Sequence, residues 1–233
     1  MIIGGFQKNS MIDYPGKISS VIFTSGCNFH CPYCHNPSLV KNFEIKNQID
    51  KKVIIKFLKK RKLIIDGVVI SGGEPTLQKE LPDFCKEIKD IGYSVKIDTN
   101  GSKPEIIKYL IENKLIDYIA MDVKTVPELY NKYITRSFNP DNIIKSIKTI
   151  MNSSINYEFR TTCARPVVDE EILMEIVKLI KGAKLYTLQK FTMDHTILYP
   201  DLFANIKDNY SEFEIRHFQS KMAMYVEKCI VHV

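Results

Sequence analysis

No run in this sequence is apolar for long enough to cross a membrane, and the opening Met1-Ile2-Ile3-Gly4-Gly5-Phe6-Gln7-Lys8 lacks the apolar core of a secretory signal. These absences point to a cytoplasmic protein with no membrane partner. Low-complexity linkers are missing too, so the 233 residues read as a single domain over 1–233: a lead-in over 1–17, a core over about 18–191 and a C-terminal segment over 192–233. No acid–base dyad stands out. Six cysteines, three of them clustered, are not the pattern of a secreted disulfide framework. Cys85, Cys163 and Cys229 stand alone in apolar surroundings and read as packed, reduced thiols.

The composition, 45% hydrophobic and 26% charged, is that of an ordinary soluble globular protein. A net charge of +6 comes from lysines spread along the chain. The densest run, Lys59-Lys60-Arg61-Lys62, falls at the end of an expected helix, where cations suit the dipole. A solvated helix end explains it better than a nucleic-acid patch, so nucleic acid is not an expected partner, although an acidic protein is admitted.

Short β-branched runs alternate with helical patterns. Strands are expected over Ser19–Thr24, Gly67–Ile70, Ser94–Asp98, Tyr118–Val123, Tyr157–Thr162 and Leu185–Gln189. Helices are expected over Asp50–Lys62, Gln78–Ile91, Pro104–Asn113, Pro140–Asn152 and Asp169–Lys181, with Ser102, Asn139 and Asp169 as start signals and Gly92 and Gly182 as stops. Near-continuous apolar strands such as Val68-Val69-Ile70 suit a parallel sheet covered by helices. The fold class is therefore α/β, a partial (β/α)6 TIM-like barrel.

In such folds the active site gathers at the C-terminal ends of the strands, and the unusual residues fall there. A cysteine loop follows the first expected strand, Ser71-Gly72-Gly73-Glu74-Pro75 the second and Thr99-Asn100-Gly101 the third. Asp122 and Lys124 mark the fourth, Arg160 lies late in the fifth, and Gln189-Lys190-Phe191 ends the sixth.

The loop itself, Cys27-Asn28-Phe29-His30-Cys31-Pro32-Tyr33-Cys34, carries three thiols and is one ligand short of a closed metal site. Four chemistries fit parts of it. Cys31 and Cys34 match a dithiol redox site, which leaves Cys27 unexplained. Cys31 to His35 spell a C-x-x-C-H haem attachment, which suits an exported chain. Structural zinc on Cys27, Cys31, Cys34 and His35 asks adjacent residues to converge on one ion. An iron–sulfur cluster on the three cysteines, with one iron open, uses every thiol.

The spacing C-x-x-x-C-x-aromatic-C, with Tyr33 in the aromatic place, resembles the signature of the radical S-adenosylmethionine superfamily. The flanks Ser10-Met11-Ile12-Asp13-Tyr14-Pro15-Gly16-Lys17 and His35-Asn36-Pro37 resemble the glycyl-radical-enzyme activating enzymes, those of anaerobic ribonucleotide reductase in particular. The resemblance runs from about Ser10 to Phe191 and is weakest over 192–233, a stretch that could cap the barrel or dock a partner.

That resemblance implies a 4Fe-4S cluster on Cys27, Cys31 and Cys34, its open iron chelated by S-adenosylmethionine. It implies that Gly72, Gly73 and Glu74 hold the methionine amino group. Asp98, Thr99 and Asn100 would lie near its carboxylate and ribose, with a plain Asn100-Gly101 turn as the competing reading. By analogy Lys124 pairs with the carboxylate, and Asp98, Thr99 and Asp122 surround a monovalent cation. A surface salt bridge between Asp122 and Lys124 is the competing reading, and for Arg160, near the cofactor by resemblance, an ordinary ion pair. Gln189 and Phe191 would form pocket wall, His195 reads better as a surface-loop residue, and the Asp13–Gly16 turn would border a target peptide. The implied partners are a glycyl-radical enzyme of the anaerobic ribonucleotide reductase or pyruvate formate-lyase type and a low-potential donor such as flavodoxin or ferredoxin. Two rivals remain: a radical enzyme acting on a small molecule, as a deazapurine synthase does, and a non-enzymatic iron–sulfur or zinc module.

Overall fold

The computed structural model describes residues 1–41, 48–193, 196–204 and 209–232. Its centre is one eight-stranded sheet in sequence order. The strands are β1 (Ile3–Ser10), β2 (Ser19–Thr24), β3 (Gly67–Gly72), β4 (Ser94–Thr99), β5 (Tyr118–Asp122), β6 (Asn156–Cys163), β7 (Tyr186–Lys190) and β8 (Cys229–His232). β1 runs antiparallel to β2, and every later pairing is parallel. The helices are α1 (Pro37–Lys41), α2 (Lys51–Lys60), α3 (Leu81–Ile91), α4 (Pro104–Glu112), α5 (Asp141–Met151), α6 (Glu170–Leu179) and α7 (Glu212–Met222). This is the expected α/β architecture, a curved sheet left open between β1 and β8.

The six central strands coincide with the expected ones to within two residues at either end. Val68, Val69 and Ile70 are all fully buried, because helices cover one face of the sheet and the barrel interior fills the other. α3 shows why the helices sit where they do: Leu81, Phe84, Cys85 and Ile88 recur at helical spacing and form its buried stripe. Gly92 ends that helix in the left-handed conformation at φ 101°. Asp169 caps α6 by accepting from the Ile172 N–H at 2.8 Å, and Asn139 accepts from the Asp141 N–H at the start of α5. Ser102 departs from its expected role. Lys103 takes the N-cap position of α4, and the Ser102 hydroxyl is buried without a hydrogen-bond partner.

Two edge strands and the last helix extend the expected plan. β1 is largely exposed, and its Gly4-Gly5 pair hides any alternation of apolar residues. β8 has only four residues. α7 opens with a capping box in which Ser211 and Glu214 exchange hydrogen bonds, and it packs on β7, β8 and α6. Met222 is buried beneath it while Arg216 pairs with Glu212 on its surface, so this part of the C-terminal segment closes the sheet.

The lead-in closes the opposite end. Tyr14 is buried against Tyr118, ring centroids 5.8 Å apart, and joins Val21, Val69 and Ala120 in a plug inside the sheet. The Ile18 carbonyl accepts from the Asp66 and Gly67 N–H groups at the N-terminal start of β3. The Asp13–Gly16 turn therefore lies at the far end of the strands from the cysteine loop, because β1 and β2 form a hairpin whose turn must fall where β2 begins. That place in the fold does not fit the expected border with a target peptide beside the thiols. Tyr14→Ala is expected to lower stability by about 3 kcal/mol, the usual cost of emptying a buried aromatic site. The exposed neighbour change Met11→Ala should stay within about 0.5 kcal/mol in the same chemical-denaturation experiment.

Candidate cluster and cofactor site

The cysteine loop is pinned from three sides before any ligand is considered. Gly26 donates to the Leu39 carbonyl and accepts from the Glu74 N–H, each at 2.8 Å. The His30 N–H donates to Ile134, and the Thr135 hydroxyl donates to the Asn28 carbonyl. Phe29 is buried edge-on against Tyr130 and Phe138. The loop is thus a rigid shelf over the C-terminal ends of the strands.

Under that shelf lies a cavity of about 240 Å³ whose wall includes all three thiols. Gly72, Gly73, Asp98, Thr99, Asn100, Asp122, Lys124, Arg160 and Gln189 share that wall, so the structure assembles nearly every expected site residue from six strand ends. Burial pushes the Cys27 thiol up to about 12 and the Cys31 thiol up to about 11. That shift favours the protonated thiol, and a bound metal would favour the thiolate. Among the described residues no three His, Cys, Asp or Glu side chains already converge on a metal position. His35, the fourth ligand of the zinc reading, stacks its ring on Phe191 at 5.9 Å, with Nε2 3.3 Å from the Thr192 carbonyl oxygen. The Tyr33 hydroxyl is buried at the cavity without a protein partner. Three soft donors on one wall and an orphaned buried hydroxyl fit a thiolate-bound cluster better than a closed tetrahedral ion.

The Gly72-Gly73-Glu74 triplet divides its labour. A Cβ on Gly73 would lie 2.2 Å from the Gly26 carbonyl oxygen, and one on Gly72 would lie 2.6 Å from the Thr24 backbone. Only glycine lets this turn pass under the cysteine loop, and Gly72 also sits at φ 105°. Glu74 is 0% exposed and does not line the cavity. Its carboxylate accepts from the Thr76 N–H and hydroxyl, the Thr99 hydroxyl and the Asn100 N–H. Burial raises its pKa, against the pull of those four donors. The side chain expected to meet an ammonium group is instead a staple behind the wall, and any such contact falls to the backbone of Gly72 and Gly73.

The charged residues form a chain. Lys96 pairs with Asp98 at 2.5 Å, Asp98 with Arg160 at 3.4 Å, Arg160 with Asp122 at 2.8 Å, and Asp122 with Lys124 at 2.8 Å. Ser71 donates to the second Asp98 oxygen. All four carboxylate oxygens therefore already face a protein donor, and the Thr99 hydroxyl is engaged with Glu74 and the Gly101 N–H. A monovalent cation at Asp98, Thr99 and Asp122 would have to displace one of these partners. Burial alone would raise both carboxylates, but Arg160, with Lys96 at Asp98 and Lys124 at Asp122, holds them below the usual range. The Asp122–Lys124 pair is real and lies inside the cavity wall, where the competing reading placed it on the surface.

Lys96, only 1% exposed, is the member that sequence reading overlooked. A lysine between Val95 and Ile97 in a strand is a readable sign of a charged interior position. Asn100 is more than a turn former, since its Nδ2 donates to Asn28 Oδ1 at 3.0 Å and approaches Cys27 Sγ at 3.9 Å. Phe191 is core, packed on Tyr33 and Phe203. His195 lies outside the described residues.

Fold and site together define an α/β protein that presents a three-thiol loop and fixed charges at the C-terminal ends of parallel strands. The family model of the Radical SAM superfamily matches residues 21–181, and the chain belongs to that superfamily. It is 40% identical over 202 residues to a protein of Methanocaldococcus jannaschii described as a glycyl-radical enzyme activating enzyme, covering 82% of this chain and 80% of that one. It is 33% identical over 161 residues to the pyruvate formate-lyase-activating enzyme of Clostridium pasteurianum, 64% of this chain and 63% of that one. The fold matches Streptococcus suis SuiB bound to S-adenosylmethionine with a TM-score of 0.71 at 18% identity, over 91% of this chain and half, 50%, of SuiB. Among the described residues no helix is long and apolar enough to cross a membrane.

Glu74→Ala strands the Asn100 and Thr76 N–H groups in the interior and should cost about 3 kcal/mol in denaturant titrations. Asp122→Asn should cost a similar amount, roughly 3 kcal/mol, at neutral pH by leaving Arg160 and Lys124 under-paired. Because the folded pKa of Asp122 is depressed, its contribution is complete above the unfolded value of about 3.9 and is lost as pH falls through the folded one. The gap between wild type and Asp122→Asn should therefore hold steady from pH 7 down to about 4 and close below it.

Proposed function

We propose that this protein is an activating enzyme, an oxidoreductase that installs a glycyl radical on a partner enzyme. The observation that carries the reading is the placement of Cys27, Cys31 and Cys34 on one cavity wall beside Lys124 and Arg160, in a chain related to activating enzymes over four-fifths of its length. A 4Fe-4S cluster bound here and reduced by one electron would supply that electron for cleavage of S-adenosylmethionine to methionine and a deoxyadenosyl species able to take a hydrogen atom from a glycine α-carbon.

The chain's own residues do the rest by position. Cys27, Cys31 and Cys34 would hold the cluster, and three protein ligands would leave one of its irons for the cofactor's amino and carboxylate groups. Gly72 and Gly73 bring backbone to the cavity wall with no side chain in the way. Lys124 and Arg160 present positive charge to a carboxylate, and their shared partner Asp122 keeps both from collapsing onto it. Tyr33 and Gln189 line the remaining wall. No proton transfer is required of the protein's side chains. Glycine is a suitable target because nothing shields its α-carbon and flanking amides stabilise the radical. The proposed partner is a glycyl-radical enzyme of the anaerobic ribonucleotide reductase or pyruvate formate-lyase type, with flavodoxin or ferredoxin as donor, in the cytoplasm.

Anaerobically reconstituted protein, given reductant and S-adenosylmethionine, should form 5′-deoxyadenosine and, with the partner enzyme, the electron-paramagnetic-resonance signal of a glycyl radical. Cys31→Ala should lose the iron and the deoxyadenosine together. Stoichiometric zinc in place of iron, or an iron-loaded wild type that leaves the cofactor intact, would defeat the reading.

A further inference from the structure

The cysteine loop has two faces, and only the inner one faces the cavity. Its outer face forms a second pocket of about 620 Å³, lined by Asn28 and His30 from the loop and by the stretch Asn131–Arg136. That stretch belongs mostly to a π-helical turn, Tyr130–Ile134, an irregularity that often marks a functional site. The turn is bolted to the loop through the His30 N–H to Ile134 bond at 2.8 Å and the Thr135 hydroxyl to Asn28 bond at 3.1 Å. Beneath both lie the packed rings of Phe29, Tyr130 and Phe138.

On this fixed floor the exposed charged side chains, Lys132 and Arg136, are basic, beside the neutral Asn131 and Tyr199. Lys132, Arg136 and His30 all point to solvent, and no carboxylate is among the described lining residues. Glu128, exposed on the preceding turn, stands outside the pocket. The same peptide carries the thiols: Asn28 follows Cys27 and His30 precedes Cys31. Asn28 is joined through Asn100 to within 3.9 Å of the Cys27 sulfur. A group seated in the outer pocket is one residue from two of the three proposed cluster ligands.

We propose that this outer face is the docking surface for an acidic one-electron carrier protein, an inference that rests on the activating-enzyme reading above. In the transfer the reduced carrier loses one electron and the bound cluster gains it, with no bond made or broken. The inner cavity has to admit the cofactor and a glycine of the target, so a donor at the outer face competes with neither. Positive charge there attracts an acidic carrier and speeds encounter. α2 is a more basic surface, with Lys51, Lys52, Lys56, Lys59 and Lys60 around their own groove, but it shares no residue with the cysteine loop. It serves as the control.

The test compares cluster-loaded wild type, Lys132→Glu/Arg136→Glu and Lys56→Glu/Lys59→Glu. Flavodoxin affinity is read by titration, and deoxyadenosine formation is read with reduced flavodoxin or with dithionite. The outer-face variant should lose roughly tenfold in flavodoxin affinity and flavodoxin-driven rate at low salt, while keeping its dithionite-driven rate and cluster content. Added salt should weaken the wild type and leave this variant nearly unchanged. Unchanged flavodoxin affinity, an equal loss in the α2 control, or a loss confined to activation of the glycyl-radical target would each overturn the proposal. Absence of deoxyadenosine from wild type with dithionite defeats the activating-enzyme reading instead, and the affinities still decide the docking surface.

Discussion

One buried carboxylate joins the parts of this site. The Glu74 N–H holds the cysteine loop through Gly26, and its side chain gathers Thr76, Thr99 and Asn100. Asn100 then returns to the loop through Asn28. Three strand ends are thus closed into one ring of hydrogen bonds around a group that water cannot reach. Satisfied in this way a buried acid rigidifies its surroundings, whereas a half-satisfied one would be worse than an apolar core. The glycines before it are required for the same reason, since any Cβ there would push the turn away from the loop that Glu74 holds.

The interior charges obey a related constraint. Buried ion pairs seldom add stability over well-packed apolar residues of the same volume. A chain of five charged groups from the buried Lys96 to the partly buried Lys124, at the end of a sheet with a largely apolar core, is therefore better explained by what it presents than by what it stabilises. Lys124 and Arg160 reach the cavity already oriented by Asp122, so a bound carboxylate would meet fixed charge with little reorganisation.

Much of this was legible in the sequence, and the exceptions have physical causes. The central strands are short apolar runs between helix signals, so they declare themselves. β1 does not, because an edge strand with two glycines and an exposed face carries no alternation. α7 carries a readable Ser211-x-x-Glu214 cap but a weak apolar stripe, since it covers only the last strands. In the site, motif spacing locates residues well and assigns atoms poorly. Glu74 belongs to its motif, yet its carboxylate faces away from the cavity; the Pro75-Thr76 that follow, a 3₁₀ start capped by Glu74, were the signal. The ion chain depends on pairing between strands, which a linear reading does not contain.

These constraints also bear on the proposed chemistry. If the reactive radical is made by a bound cluster and cofactor, the protein need not move protons or form covalent intermediates. It must hold three thiols rigid, place two cations, and keep the two sides of one loop apart. The inner side is shaped by glycines and buried charge, the outer by an aromatic floor and exposed cations. Because Asn28 and Asn100 couple the two faces directly, a change on the outer surface that shifts the loop backbone would be felt at Cys27, whereas one that alters only exposed charge would not.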